Sequence, residues 1–173
     1  MFPIVSSPAE RDLDHVGRIM AQWNRERPEL DVSPQGVIGR LHRLAARLSE
    51  ELAAVYGEFG LGEGEFDVLA TLRRAGAPYE LTPGELARRT MVSSGAVTKR
   101  VDRCVEQGWV TRRVSDSDHR GRVVALTASG LELIDRAFEA HMANEHRLVG
   151  MLDEMERARL AHLLEKWGRA LGD

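Results

Sequence analysis

Two short helices separated by a tight turn, with a β-hairpin directly after them, constrain the fold of this chain more than any other feature. Thr82, Pro83 and Glu85 form a capping box with proline at the first helical position, which predicts a helix beginning at Pro83. Residues 90–93 interrupt the helical pattern before a second helix, and Gly108 is placed to end that helix. Two short helices joined in this way indicate a helix-turn-helix.

The residues that follow Gly108 predict the hairpin. Residues 109–114 are rich in β-branched and aromatic side chains, residues 115–121 are polar, and residues 122–126 return as a second strand. A hairpin directly after a helix-turn-helix is a wing. The sequence therefore predicts a mainly α fold with a small β wing, which is a winged helix-turn-helix.

Apolar residues at helical spacing predict further helices on both sides of this unit. On the N-terminal side the pattern covers residues 8–28, 33–60 and 63–76, and on the C-terminal side it covers residues 128–152 and 153–171. A small winged module cannot bury all of these apolar stripes by itself. We therefore expect the terminal helices to pack against a second copy of the chain in a homodimer.

The length of 173 residues favours a single domain. We expect this domain to span residues 1–173, with N-terminal helices at about 8–60 that serve dimerisation and ligand binding. The winged helix-turn-helix is expected at about 61–127, and C-terminal dimerisation helices at about 128–173.

Charge is unevenly spread along the chain, although the formal net charge is only -3. Residues 88–122 hold nine basic and four acidic side chains, a net charge of +5, and the rest of the chain carries -8. A basic segment on an acidic body is typical of a surface that contacts nucleic-acid phosphates. We therefore expect double-stranded DNA as the partner.

The sequence also argues against several classes of protein. It contains no run of eighteen apolar residues and no basic-then-apolar leader, so we expect no membrane contact and a cytoplasmic location. No pattern joins a nucleophile, a base and an orienting group, so we do not expect an enzyme. His141 and His146 are five residues apart, on different helix faces, so we expect neither a metal nor a cofactor.

Cys104 is the only cysteine, which excludes an intramolecular disulfide. It shares a predicted helix face with Val97, Val101 and Val105, which favours a buried structural thiol. The alternative is a redox sensor, which would require an accessible thiol of lowered pKa.

Three strings of residues are more specific than the pattern of helices. They are LTPGELA at residues 81–87, SGAVTKRVDR at residues 94–103, and DHR at residues 118–120 followed by VALT at residues 124–127. In this order the strings resemble the MarR family of bacterial winged-helix regulators, and the resemblance covers nearly the whole chain. It implies that the recognition helix enters the major groove of DNA, that a wing arginine reaches the adjacent minor groove, and that the terminal helices form the dimer.

The recognition helix and the wing supply the residues that we expect at the DNA. Hydroxyls near the start of the helix can meet phosphates, long cationic side chains can meet base edges, and a loop arginine can follow a narrow minor groove. The alternative for any one of these residues is a solvated helix face. A two-fold symmetric protein also implies a pseudo-palindromic operator. The expected DNA-binding residues are Ser94, Thr98, Lys99, Arg100, Arg103 and Arg120.

A finer resemblance is to the urate-responsive subgroup of the MarR family, which carries a tryptophan on an extra N-terminal helix. The four residues that match its pattern are Trp23, Asp67, Arg100 and Arg112. A planar anionic purine suits an aromatic wall at Trp23 and a bidentate guanidinium at Arg112. The resemblance implies that the anion repels Asp67, which moves the helix that holds Arg100 and releases the DNA.

Several alternatives remain open. Trp23 could be an anchor in a core or a dimer interface, and Asp67 could form an ordinary ion pair with Arg100 or Arg112. The effector could be citrate, aconitate or a phenolic compound instead of urate. The same fold could also serve a ligand-blind architectural or protein-tethering factor. The resemblance favours repression of a neighbouring, divergently transcribed gene.

Overall fold

The computed structural model of the chain describes residues 12–90, 97–114 and 122–172. That part of the chain contains seven helices and three short strands. The helices are α1 (His15–Glu26), α2 (Gln35–Glu58), α3 (Glu63–Arg74), α4 (Pro83–Arg89), α5 (Val97–Glu106), α6 (Ala128–Val149) and α7 (Glu154–Leu171). The strands are β1 (Glu80–Leu81), β2 (Val110–Val114) and β3 (Arg122–Leu126). The predicted mainly α fold with a small β wing is therefore confirmed.

Helices begin where the sequence places capping residues. Thr82 Oγ1 accepts a hydrogen bond from the Glu85 backbone N–H at 3.2 Å, and the Glu85 carboxylate accepts one from the Thr82 N–H at 3.0 Å. The same reciprocal box joins Asp153 and Glu156 at the start of α7. The predicted capping box at Thr82 is confirmed, because every contact in it lies within four consecutive residues.

The chain divides into two compact units, residues 1–50 and 51–173. The second unit is built around α3, where Val68, Leu69 and Leu72 are completely buried. α3 packs against α4, α5, α6 and β3. The side of α3 that the sequence predicts to be apolar therefore lies in the core of this unit.

The first unit contains α1 and the beginning of α2. Asp14 caps α1 by accepting a hydrogen bond from the Gly17 N–H at 2.7 Å. The Arg40 guanidinium donates to both oxygens of the Asp14 carboxylate at 2.9 Å, which holds the pKa of Asp14 below its ordinary value. Gly39 allows a close approach of the two helices, since a Cβ there would lie 3.1 Å from Val16 Cγ1.

The sheet is antiparallel, with the strand order β1–β3–β2. Leu81 of β1 and Arg112 of β2 both pair with Val124 of β3. The hairpin of β2 and β3 is the predicted wing. No pattern in the sequence predicts β1, because two residues are too few to show an alternation of faces.

A compact joint connects the base of the wing to α6. Thr127 caps α6 by accepting a hydrogen bond from the Gly130 N–H at 3.0 Å, and its hydroxyl donates to the Gly108 carbonyl at 2.8 Å. Gly108, with φ +73°, ends α5 as predicted. A Cβ on Gly130 would lie 2.0 Å from the carbonyl oxygen of Trp109. We call Gly108, Trp109, Thr127 and Gly130 the wing joint, because they bring the end of α5 to the start of α6.

Candidate nucleic-acid interface and ligand site

The recognition helix α5 has one buried face and one exposed polar face. Val97, Val101 and Cys104 are buried and fasten the helix to the core. The opposite face presents hydroxyl and cationic side chains to solvent. The exposed residues among the predicted DNA contacts are Thr98, Lys99 and Arg103. Ser94 and Arg120, which the sequence also places at the DNA, lie outside the described residues.

Arg100 differs from these predicted contacts, because its side chain packs against α3. Its Nη1 is buried and has no hydrogen-bond partner within the part of the chain that the structure describes. A Cβ on Gly64 of α3 would lie only 2.3 Å from Arg100 Nε. The lack of a side chain at Gly64 therefore makes room for the guanidinium. No pattern in the sequence singles out Gly64 for this purpose.

Two acidic side chains of α3 are buried in the same unit as α5. Asp67 is 8% exposed, and the Thr71 hydroxyl donates a hydrogen bond to its carboxylate at 3.4 Å. Glu65 is also buried, and its carboxylate lies 3.7 Å from Arg103 Nε on α5. Buried carboxylates require polar or charged partners. The surface between α3 and α5 is therefore built on charge pairing as well as on apolar contact.

Arg112 and Arg113, neighbours on β2, face different partners. Arg112 Nη1 forms an ion pair with the Asp102 carboxylate on α5. Arg113 forms an ion pair with Glu80 of β1. Successive side chains of a strand point to opposite faces of the sheet, which accounts for the difference. The sequence predicted Arg112 as a ligand residue but did not identify Asp102 as its partner.

A cavity of about 330 Å³ lies between the helix-turn-helix and the wing. Most of its lining is apolar, and one hydroxyl and two guanidinium groups interrupt this surface. The polar lining residues are Thr98, Arg112 and Arg122, and the apolar ones include Leu86, Val97, Val101 and Val124. Sequence reasoning missed Arg122 as a site residue, because its place beside Arg112 depends on the pairing of β2 with β3.

Trp23 belongs to the first compact unit, whereas Asp67, Arg100 and Arg112 belong to the second. It lies on α1, and its side chain is 45% exposed. Trp23 therefore presents indole surface to solvent within this chain. Its assignment as a ligand contact stays a prediction.

Cys104 is buried, and burial raises the pKa of its thiol to about 12, with a smaller contribution from the charge of Glu65. Val105, which the sequence places on the same face, is exposed, so the buried face of α5 is narrower than expected. A thiol of this kind is protonated at neutral pH and therefore a poor nucleophile. These properties favour the structural interpretation of Cys104.

We expect iodoacetamide to alkylate Cys104 at pH 8 only after unfolding, because the thiolate is the reactive species and the folded protein suppresses it. Mass spectrometry should find alkylation at least about a hundredfold slower in the folded protein than in urea, since reaction requires local opening. Alkylation of the folded protein as fast as that of free glutathione would instead favour a redox sensor.

Both ring nitrogens of His141 contact polar side chains of the second unit. Its Nδ1 lies 3.3 Å from the Tyr56 hydroxyl, and its Nε2 lies 3.2 Å from the Glu145 carboxylate. Across residues 12–90, 97–114 and 122–172, no group of three or more His, Cys, Asp or Glu side chains is arranged to hold a metal ion. Within the same ranges, no helix has the length and apolar character needed to cross a membrane.

Comparison with known proteins gives consistent matches. A model described as the MarR family matches residues 59–121. The HTH-type transcriptional regulator PecS of Dickeya dadantii is 39% identical over 149 residues, which cover 86% of this chain and 90% of PecS. The multiple antibiotic resistance protein MarR of Escherichia coli is 31% identical over 131 residues, which cover 75% of this chain and 89% of that protein. These relatives are transcriptional regulators and not enzymes.

Solved structures share the architecture. A cysteine-to-serine mutant of MarR from E. coli, complexed with operator DNA, matches with a TM-score of 0.65 and 29% identity, over 83% of this chain and 96% of that chain. A MarR family transcriptional regulator from Streptomyces coelicolor matches with a TM-score of 0.70 and 27% identity, over 83% of this chain and 98% of that chain. The fold described above is therefore that of winged helix-turn-helix regulators.

Proposed function

Because this chain belongs to the MarR family of DNA-binding transcriptional regulators, we propose that it is a repressor that a small anion releases from its operator. DNA binding is supported by the exposed face of α5. This face presents Thr98, Lys99 and Arg103 opposite a buried apolar face. A helix fastened on one side and cationic on the other can enter the major groove and meet both phosphates and base edges. Such a regulator works in the cytoplasm, on double-stranded DNA.

A homodimer is the proposed assembly. Several large apolar side chains of α6 and α7 are exposed in the single chain, including Phe138, Val149, Leu160, Leu163 and Leu164. Exposed apolar side chains on adjoining helices favour burial against another surface. A second copy would bury them by two-fold symmetry and would place two recognition helices toward one operator.

We expect hydroxyl-radical footprinting to show two protected half-sites about one helical turn apart, because two-fold protein symmetry is repeated in the operator. The operator is first selected from a random DNA pool with the wild-type protein. Analytical ultracentrifugation at micromolar concentration should show a dimer. Protection of a single half-site, or a monomer at that concentration, would contradict the proposed assembly.

For the ligand, we propose a planar anion such as urate, held by Trp23 and Arg112 and sensed by Asp67 and Arg100. The ion pair of Arg112 with the Asp102 carboxylate supports this proposal, because it places a negative group against the guanidinium in the absence of ligand. Burial of Asp67 beside the Thr71 hydroxyl supports its role, since a nearby anion would raise the free energy of a poorly solvated carboxylate.

The cavity between the helix-turn-helix and the wing favours a second candidate ligand. Its apolar lining and its two guanidinium groups suit a small aromatic carboxylate or phenolate better than a fully polar tricarboxylate. A gel-shift titration with urate, salicylate and citrate distinguishes these possibilities. Release by urate supports the first proposal, and release by salicylate alone supports the second. Retention of DNA under all three would indicate a ligand-blind factor.

A further inference from the structure

The ion pair between Asp102 and Arg112 joins the recognition helix to the wing. Asp102 lies on α5, and Arg112 lies on β2. The side chains are about half exposed, at 48% for Asp102 and 41% for Arg112. Solvent and solutes can therefore reach the pair, and a dissolved anion can compete for the guanidinium.

Asp102 already occupies Arg112 in the way that an anionic ligand would. Its carboxylate lies against Nη1 of the guanidinium, one of the nitrogens that a ligand carboxylate or purine oxygen would use for bidentate contact. An exposed ion pair of this kind is weak, because water and salt screen it. A ligand that makes two hydrogen bonds together with apolar contacts can displace it.

We propose that Asp102 is an internal competitor for the anionic ligand at Arg112, and that its displacement removes one of the contacts that hold α5 to β2. This inference rests on the proposed function, since it requires an anion that binds at Arg112. It adds a residue outside the predicted set of Trp23, Asp67 and Arg100. It also links anion binding directly to the recognition helix, because the displaced carboxylate belongs to that helix.

The charge partners of neighbouring residues support this assignment. Arg103, also on α5, lies near Glu65 of α3, so that ion pair fastens α5 to the core and not to the wing. Arg113, also on β2, pairs with Glu80 of β1, a strand on the other side of β3. A ligand at Arg112 therefore acts on the contact between α5 and β2, and the other two pairs remain in place.

The proposal fixes the sign of two changes. In Asp102→Asn, the competing charge is gone, so the free protein should bind the anion more tightly. In this variant the contact that the anion would break is already missing without the anion. The anion should therefore lower the affinity for DNA by a smaller factor than in the wild type. Both changes follow from the loss of one exposed ion pair, and each should be about two- to fivefold.

The experiment uses the full-length chain in wild-type form and in the variants Asp102→Asn and Glu80→Gln. Calorimetry with urate and with salicylate gives the anion affinity of the free protein. Fluorescence anisotropy on the selected operator gives the affinity for DNA with and without saturating anion. For each variant, the quantity compared is the ratio of its affinity for DNA without anion to its affinity with anion. The affinities themselves are not compared between variants, because removing an acid from α5 alters the affinity for DNA directly. Glu80→Gln is the matched control, since it breaks the neighbouring wing ion pair without touching α5.

We expect tighter anion binding and weaker release in Asp102→Asn, with wild-type values for both quantities in Glu80→Gln. Wild-type anion affinity or wild-type release in Asp102→Asn would overturn the inference, as would equal changes in Glu80→Gln. If the wild-type protein binds neither anion, the proposed ligand response fails and this inference fails with it. If the wild-type protein responds and Asp102→Asn behaves identically, only this inference fails.

Discussion

Replacing Arg112 with alanine should shift the response to the anion to much higher anion concentrations, while most of the affinity for DNA remains. A charge-assisted hydrogen bond contributes about 1.5–3 kcal/mol, so losing the guanidinium should weaken anion binding about tenfold to a hundredfold. The exposed ion pair with Asp102 is lost as well, but such a pair contributes less than about 1 kcal/mol, which limits the change in DNA affinity to about fivefold. Calorimetry and anisotropy on the same preparations measure both quantities.

The matched control is Arg113→Ala, which removes the neighbouring guanidinium from the other face of β2. It should keep the wild-type response, because Arg113 pairs with Glu80 of β1 and leaves the ion pair of Arg112 with Asp102 in place. Trp23→Phe tests the remaining part of the proposed ligand site and should weaken urate binding through lost stacking area. Wild-type release from DNA in Arg112→Ala would show that the anion binds elsewhere.

Replacing Gly130 with alanine should destabilise the fold by about 3 kcal/mol, the upper part of the usual range for overpacking. The added Cβ would lie 2.0 Å from the carbonyl oxygen of Trp109, and a backbone atom cannot swing aside as a flexible side chain can. The wing joint would have to open, which also strains the hydrogen bond from Thr127 to Gly108. Urea unfolding followed by circular dichroism measures the loss.

Gly57→Ala provides the matched control for that substitution. Gly57 lies in α2, and apart from the adjoining backbone of α2 no atom of the described residues lies within 4 Å of the position that its Cβ would take. Alanine there should raise stability by about 0.5 kcal/mol, because it restricts the unfolded chain and favours helix. The two variants carry the same chemical change and should differ in sign. An unfolding midpoint for Gly130→Ala equal to that of the wild type would disprove the close contact.

The sequence predicts those parts of the fold that depend on local contacts. The capping box predicted at Thr82 is confirmed because it is completed within one helical turn. Gly108 ends α5 for the same reason, since a left-handed residue after a helix needs only its own backbone freedom. The wing strands could be predicted because their residues have β-forming side chains and flank a polar loop.

The contacts around the candidate site could not be predicted, because they join residues far apart in the chain. Arg100 packs against Gly64 across the interface of α5 and α3, and no pattern in the sequence links these two residues. Asp102 and Arg112 are ten residues apart and meet only after Gly108 turns the chain. Arg122 reaches the same cavity through the register of β2 and β3. The order of the helices and strands could therefore be predicted from the sequence, whereas the ion-pair partners could be identified only in the folded structure.

The wing joint also couples the angle at which α6 leaves the wing to the position of the far end of α6. α6 contains 22 residues, which at 1.5 Å per residue gives a length of about 33 Å. A rotation of about 5° at the joint therefore moves the far end of α6 by about 3 Å. Conversely, any partner that fixes the far end limits the angle at which the end of α5 is held. The range of spacings between DNA contacts that such a protein tolerates then depends on the stiffness of these four residues together with the packing of α6 on α3, and none of the four has to touch a base.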